Sequence, residues 1–224
     1  AYEAAVAGGV PIVKALREGL AANQVDRLYG ILNGTCNYIL TEMEKTGRDF
    51  SDVLTEAQKL GYAESDPSFD IDGIDTAHKL AILASIAFGT EVDFAGIHVE
   101  GIRHISSIDI EFASELGYGI KLLGITTRLD EGILKRVHPC MVPISAPINH
   151  VRGVFNGIEV AGDFVDTTIY EGRGAGAGPT ASAVVADLLD IARGNSVPVF
   201  GVPASTLEPV QTLGIGHYCG PYYI

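Results

Sequence analysis

Hydrophobic positions follow a helical period through the first ninety residues and shift to strand-like runs after Gly89. Tyr2 to Val6 reads as a strand ending at Gly8-Gly9, and Pro11 then stands at the start of an amphipathic helix over Ile12 to Leu20. A strand is predicted from Val25 to Leu32. Asn33 is placed to cap a helix over Thr35 to Lys45, and Ser51 to cap another over Asp52 to Leu60. The helix predicted from Gly73 to Phe88 is apolar on nearly every side, which predicts burial. Val99 to Ile105 then reads as a strand and Ile108 to Leu116 as a short helix. Further strands are predicted at Ile120 to Leu129, Leu134 to Val142, Gly153 to Val160 and Phe164 to Tyr170. Asp130-Glu131-Gly132 and Asn156-Gly157 act as turn signals among them. A last helix, Thr180 to Ala192, follows a glycine-rich stretch. Helices first and strands later predict an α+β fold, with a mixed β-sheet and helices packed mainly on one face.

Composition narrows the class. The 224 residues are 47% hydrophobic with no low-complexity run, which describes an ordered globular chain able to bury a sizeable core. The chain is expected to divide into a main domain over residues 1–195, a proline-containing linker over 196–212 (Pro198, Pro203, Pro209) and the stub of another domain over 213–224. Both ends read as cuts through a longer polypeptide, because YEAAVAGGVPI opens without methionine and YCGPYYI closes on an aromatic run. A net charge of −13 argues against nucleic acid and against anionic membrane surfaces as partners. No stretch has the ~18 apolar residues of a membrane span, and no signal-peptide pattern opens the chain. Cys36, Cys140 and Cys219 lack metal-ligand spacing and are odd in number, which fits a reducing cytoplasm. The six histidines show no ligand spacing either, so no transition metal is expected.

Candidate chemistry concentrates in AQKLGYAESDPSFDIDGIDTAHK, residues 57–79. Glu64, Asp66, Asp70, Asp72 and Asp75 crowd a Pro- and Gly-punctuated loop, and the helix after it presents Lys79. Asp75 and Lys79, four residues apart, share one helix face. On an exposed helix such a pair is an ordinary ion pair worth about 0.5 kcal/mol or less. At the end of a helix this apolar it lies at the rim of a core, where charges are paired or functional. Ser68-x-Asp70-x-Asp72-Gly73 imitates the opening of a calcium loop, but the twelfth position of that pattern needs a bidentate Glu and here is Lys79. The calcium reading fails.

The segment resembles the signature of the homoserine dehydrogenase family at Ala57, Gly61-Tyr62-Ala63, Asp66-Pro67, Asp70-Ile71, Gly73, Asp75 and Lys79. EAAVAGGVPI at the start, Asn33-Gly34-Thr35 and GRGAGAGPTASAVVADL are similar to the same family, so the resemblance covers roughly residues 1–210. It implies a catalytic and dimerisation region that interconverts aspartate semialdehyde and homoserine with NADP or NAD, acting as a homodimer. It makes Lys79 the general acid that protonates the carbonyl oxygen. Glu64 and Asp75 become substrate-binding carboxylates, Asp70 a further ligand or orienter, and Tyr62 a lining residue of the loop and pocket; Asn33-Gly34-Thr35 either presents helix amides and the Thr35 hydroxyl to the substrate carboxylate or is a plain Asn cap. Gly176 and Gly174 become cofactor contacts. The backbone carbonyls of Glu3, Val6, Gly8 and Val10 become ligands of a monovalent cation such as sodium. Asp66 and Asp72 read as turn and capping residues, and His78 as a surface or packing residue.

The family's dinucleotide-binding domain has no counterpart here, since no strand–GxGxxG–helix unit occurs, and the tail from His217 resembles the start of a regulatory domain. The resemblance therefore implies half an active site and negligible activity for the chain alone. The alternative is a non-catalytic dimerisation or scaffold fragment, told apart by whether Glu64, Asp75 and Lys79 converge or splay into solvent. A semialdehyde dehydrogenase working through an acyl intermediate would need a nucleophilic cysteine, for which Cys36 is the candidate by position.

Overall fold

Two sheet faces of different character organise the molecule, a computed structural model that describes residues 2–221. Tyr222, Tyr223 and Ile224, the end of the expected domain stub, lie outside the described residues. The helices are α1 (Ile12–Lys14), α2 (Gly34–Thr46), α3 (Phe50–Lys59), α4 (Ser68–Ile71), α5 (Ile74–Phe88), α6 (Ser107–Glu115) and α7 (Ala177–Ala192). The strands are β1 (Val25–Ile31), β2 (His98–Val99), β3 (Tyr118–Leu129), β4 (Gly132–Pro143), β5 (Phe155–Gly162), β6 (Asp166–Arg173) and β7 (Thr212–Leu213). They form one mixed sheet in the order β2-β4-β3-β1-β5-β6. β2 and β7 both run parallel to β4 along its outer edge, and the remaining pairs are antiparallel. The α+β expectation holds.

Alternation decides what each face buries. Leu28, Ile120, Leu122, Val137, Ile158 and Val160 pack with residues of α2, α3 and α5 into the main core. Ile31, Leu123, Ile125 and Val142 face the other way and form a smaller cluster with Ile148 and Val151. Lys121 is buried, donating from Nζ to the Val151 carbonyl at 2.9 Å. Its removal from water pushes the pKa of its ammonium down to about 8.

Several local expectations yield to tertiary contacts. Tyr2 to Val6 is not a strand: Glu3–Ala5 form a 3₁₀ turn, because the buried Glu3 carboxylate accepts the Val13 and Lys14 amides at 2.9 and 2.8 Å. The helix expected over Ile12 to Leu20 is α1 followed by a π turn over Ala15–Gly19. Asp49, not Ser51, takes the N-cap position of α3, and its carboxylate accepts from the Ser107 hydroxyl at 2.9 Å. Of the predicted Val99 to Ile105 strand only Val99 enters the sheet, paired with His98 before it as β2. Beyond it the chain turns to the acidic loop, where the Ile102 amide donates to the Ile71 carbonyl at 2.8 Å. Asn156-Gly157 is inside β5 rather than at a turn, and the Asn156 amide donates to the Ile31 carbonyl of β1 at 2.8 Å.

Among the described residues, no helix is long and apolar enough to cross a membrane. α7 stands off the sheet against the first turn of the chain, where Asp187 accepts the Glu3 amide at 3.0 Å and Asp190 pairs with Lys14 at 2.5 Å. Near the chain's end, Thr212 donates to Asp93, which also pairs with the buried Lys135 at 2.6 Å.

Candidate active site

The chain leaves β1 at Ile31 and turns through Leu32 and Asn33 into α2. That turn holds the lysine. Asn33 Oδ1 caps α2 by accepting the Cys36 amide at 2.8 Å, while its Nδ2 donates to Asp70 Oδ1 at 2.7 Å and Asp75 Oδ2 at 2.8 Å. Asp75 Oδ2 also accepts from Lys79 Nζ at 2.7 Å, and Nζ donates to the Leu32 carbonyl at 2.9 Å. Asn33, Asp70, Asp75 and Lys79 thus converge from three elements. The Lys79 and Asp75 side chains remain 22% and 19% exposed, so the cluster is reachable from solvent.

Gly73 makes this approach possible. It precedes α5 with φ at 84°, and a Cβ there would press on Val99 and Val137 at 3.1 Å. α5 is otherwise anchored by buried Ala77, Leu80, Leu83 and Ala84. An ammonium carries three N–H donors, and two of those on Lys79 are engaged. Among the described residues, the third has no protein acceptor, nor does Asp75 Oδ1 or Asp70 Oδ2 have a protein donor. One free N–H beside two free carboxylate oxygens matches an oxygen that must gain a proton next to an ammonium group.

The neighbouring residues divide into groups. Thr35 Oγ1 donates to the Tyr62 carbonyl at 2.7 Å, tying the start of α2 to the acidic loop. The exposed Tyr62 ring packs at a tilt on Tyr38, 4.9 Å between centroids. A surface cleft of about 670 Å³ shares Tyr62 with this loop and includes Glu44, Arg152 and Phe155, but reaches none of the four clustered residues. Glu64 is exposed. Its carbonyl accepts from Gln58 at 3.0 Å, and among the described residues its carboxylate takes no part in the cluster.

Asp66 accepts the Ser68 amide at 3.1 Å and the Ser68 hydroxyl at 2.6 Å, which hold its carboxyl below the usual range. Asp72 is more than a turn residue, since Arg103 grips both its oxygens. Arg103 lies 31 positions away, and no local spacing announces it. His78 stacks between the rings of Phe94 and Phe69, at 4.1 and 5.7 Å. Burial, with the charges of Asp70, Asp75 and Asp72, pushes the Cys36 thiol well up, which works against a nucleophilic role.

The glycine-rich loop and the first residues of the chain meet each other. Gly8 approaches Gly174 so closely that a Cβ would come within 2.7 Å of the Gly174 carbonyl, and the Gly9 amide donates to the Arg173 carbonyl at 3.0 Å. A Cβ on Gly174 would overlap Asn156 Oδ1, and Gly176 takes φ 114° and ψ 156°, a conformation reserved for glycine. The loop therefore offers bare backbone at the start of the 16-residue α7, whose first amides lack intrahelical acceptors. The Glu3 side chain caps α1, a role no local pattern revealed, and burial pushes its carboxyl pKa up. Ala7, with φ at 50°, bends the backbone between Val6 and Val10, and the Val10 amide closes the turn on the Ala7 carbonyl at 2.6 Å. Among the described residues, no group of three or more His, Cys, Asp or Glu side chains could hold a metal ion.

Known proteins resemble this chain in sequence and in fold. A family profile described as homoserine dehydrogenase matches residues 11–189. A homoserine dehydrogenase from Neisseria gonorrhoeae is 50% identical over 229 residues, covering 100% of this chain and 53% of that protein. The crystal structure of a homoserine dehydrogenase from Thiobacillus denitrificans superposes with a TM-score of 0.92 at 52% identity, over 96% of this chain and 51% of that one. A hyperthermophilic archaeal homoserine dehydrogenase in complex with NADPH matches with a TM-score of 0.74 at 28% identity, over 86% of this chain and 55% of that one. The chain spans about half the length of the curated relatives it matches.

Proposed function

Since the chain belongs to the homoserine dehydrogenase family, we propose that it is the substrate-binding and catalytic region of an enzyme interconverting L-aspartate 4-semialdehyde and L-homoserine, in the biosynthesis of threonine, methionine and isoleucine. The observation that carries this reading is the Lys79 ammonium, fixed by Asp75 and the Leu32 carbonyl with its third N–H free. When bound, a nicotinamide cofactor, NADP or NAD, supplies or accepts the hydride. Lys79 gives its proton to the aldehyde oxygen as negative charge grows there, and recovers it when homoserine is oxidised. Asp75 and Asp70 present carboxylate oxygens to the substrate ammonium, while Glu64, which stands apart from them on an exposed loop, is a substrate ligand by the family resemblance alone. Thr35 and Tyr62 bound the same pocket. The bare backbone of Gly174 and Gly176 receives the cofactor's edge. Carbonyls of Glu3, Val6, Gly8 and Val10 hold a monovalent cation such as sodium, a donor set of neutral oxygens that suits a hard ion of low charge.

The reading includes a homodimer in the cytoplasm, and the free thiols of Cys36, Cys140 and Cys219 agree with a reducing compartment. It also expects these 224 residues, tested by themselves, to bind substrate without turning it over. Calorimetric titration of homoserine into the chain and its Glu64→Ala and Lys79→Ala variants tests the assignment. Weaker binding in Glu64→Ala is expected, and unchanged binding there removes Glu64 from the substrate ligands. NADPH-dependent turnover by the chain alone refutes the half-site reading. In a full-length enzyme carrying this region, Lys79→Ala should lower kcat about 10²–10⁴-fold.

A further inference from the structure

We propose that Asn33 is the positioning residue of the proton-transfer site, a neutral clamp whose single amide sets both Asp70 and Asp75 and, through Asp75, aims Lys79. The proposal rests on the general-acid reading of Lys79.

Asn33 uses all of its amide. Its oxygen takes the Cys36 backbone N–H, so the NH₂ group must face the carboxylates; the reverse orientation would set N–H against N–H and oxygen against two anions. Each of its two N–H bonds then serves one carboxylate. The side chain is buried at 5% exposure, so water has little room to replace it. Asp75 Oδ2 accepts from both Asn33 and Lys79, so a shift of this oxygen moves the ammonium with it. The adjoining Leu32 carbonyl holds that ammonium from the other side. One turn of backbone at the end of β1 thereby sets the lysine and both acids.

Neutrality is part of the function. Asp70 and Asp75 bring two negative charges to one ammonium, and a third carboxylate at position 33 would add repulsion at hydrogen-bond distance. An amide instead donates to both acids and leaves their second oxygens free. It also has an atom to spare for capping α2, so the site is built on the same bond that starts the helix.

The test separates cap from clamp. Asn33→Ser keeps a capping oxygen but cannot reach the two carboxylates. Asn33→Asp keeps the cap as well and replaces the donor with a charge. In a full-length enzyme carrying this region, kcat, the KM for homoserine and for cofactor, the pH–rate profile and Tm are measured for both, alone and combined with Lys79→Ala. The expected result for Asn33→Ser is a Tm close to the parent's, an unchanged cofactor KM and a kcat lowered about 10²-fold, the scale of a reacting group misplaced by about 1 Å. Asn33→Asp should lower kcat further and move the acid limb of the homoserine-oxidation profile to higher pH. In the Lys79→Ala background Asn33→Ser should cost less than about threefold more, because the group it positions is gone. Parent-like kcat in Asn33→Ser with an impaired Lys79→Ala overturns this proposal alone. Parent-like kcat in Lys79→Ala overturns the general-acid reading and this proposal with it. Should Asn33→Ser fail to fold, Asn33→Asp carries the test, and its unshifted pH profile overturns the clamp.

Discussion

α5 and α7 are both long and rich in Ala and aliphatic residues, yet they meet opposite surroundings. α5 buries Thr76, Ala77, Leu80, Ala81, Leu83, Ala84, Ser85, Ile86 and Phe88 against the sheet and its neighbours. α7 buries Ala183, while Val184, Val185, Leu188, Leu189 and Ile191 are exposed. Apolar content therefore does not locate a helix. What differs is the partner: α5 lies across β1, β3 and β4, whereas α7 leans on the 3₁₀ turn at Glu3–Ala5. The functional consequence follows, because Asp75 and Lys79 on α5 inherit the rigidity of a filled core. Glu64, on the loop before it, does not.

Core truncation tests the contrast most severely. Leu83→Ala, at a fully buried position, should destabilise the chain by about 2–5 kcal/mol in urea unfolding. Leu188→Ala, at a side chain 59% exposed, should change it by about 0.5 kcal/mol or less. Equal losses would erase the difference between the two helices.

The sheet face turned away from α5 offers a smaller effect. Lys121 is pushed down from 10.5 to about 8 by burial, so between those pH values the unfolded chain binds the extra proton. Stability should rise with pH across that window, with the full penalty present below about 8. Lys121→Met should raise Tm at pH 7 by a few degrees and flatten the rise, as thermal melts at pH 7, 9 and 10.5 can check. A Tm that falls at pH 7 would mark the ammonium as stabilising.

The smallest effect concerns the edge strand β7, where Leu213 is buried and Thr212 is tied to Asp93. Lys135, Thr212 and the Gly96 amide hold Asp93 down from 3.8 to about 2. The folded chain resists protonation there, so this tie is complete above about 4 and is lost as the pH falls towards 2. Hydrogen exchange at Leu213 should accelerate over that range before α5 opens, and Asp93→Asn should remove the acid step.

Much of this was legible in the chain. β1, β3, β4, α2 and α5 follow local periodicity, and Asn33 as a cap and Asp75–Lys79 as an i, i+4 pair follow local spacing. The errors fall where a distant side chain intervenes. Glu3 reaches ten positions ahead to cap α1 and converts an expected strand into a 3₁₀ turn. Arg103 takes Asp72, and the backbone beside it leaves the sheet after Val99.

By itself, the sequence determined which residue types stand at each turn and face: a capping amide after β1, two acids and a lysine around the start of α5, and glycines before α7. Short-range sterics and hydrogen bonding suffice for that. The tertiary structure alone decided that Asn33 spans 37 and 42 positions to Asp70 and Asp75, and that the Leu32 carbonyl lies 47 positions from the lysine it holds. Those distances depend on the sheet order and on α5 packing across it, because the position of a charge is set by the core beneath it rather than by its neighbours in the chain.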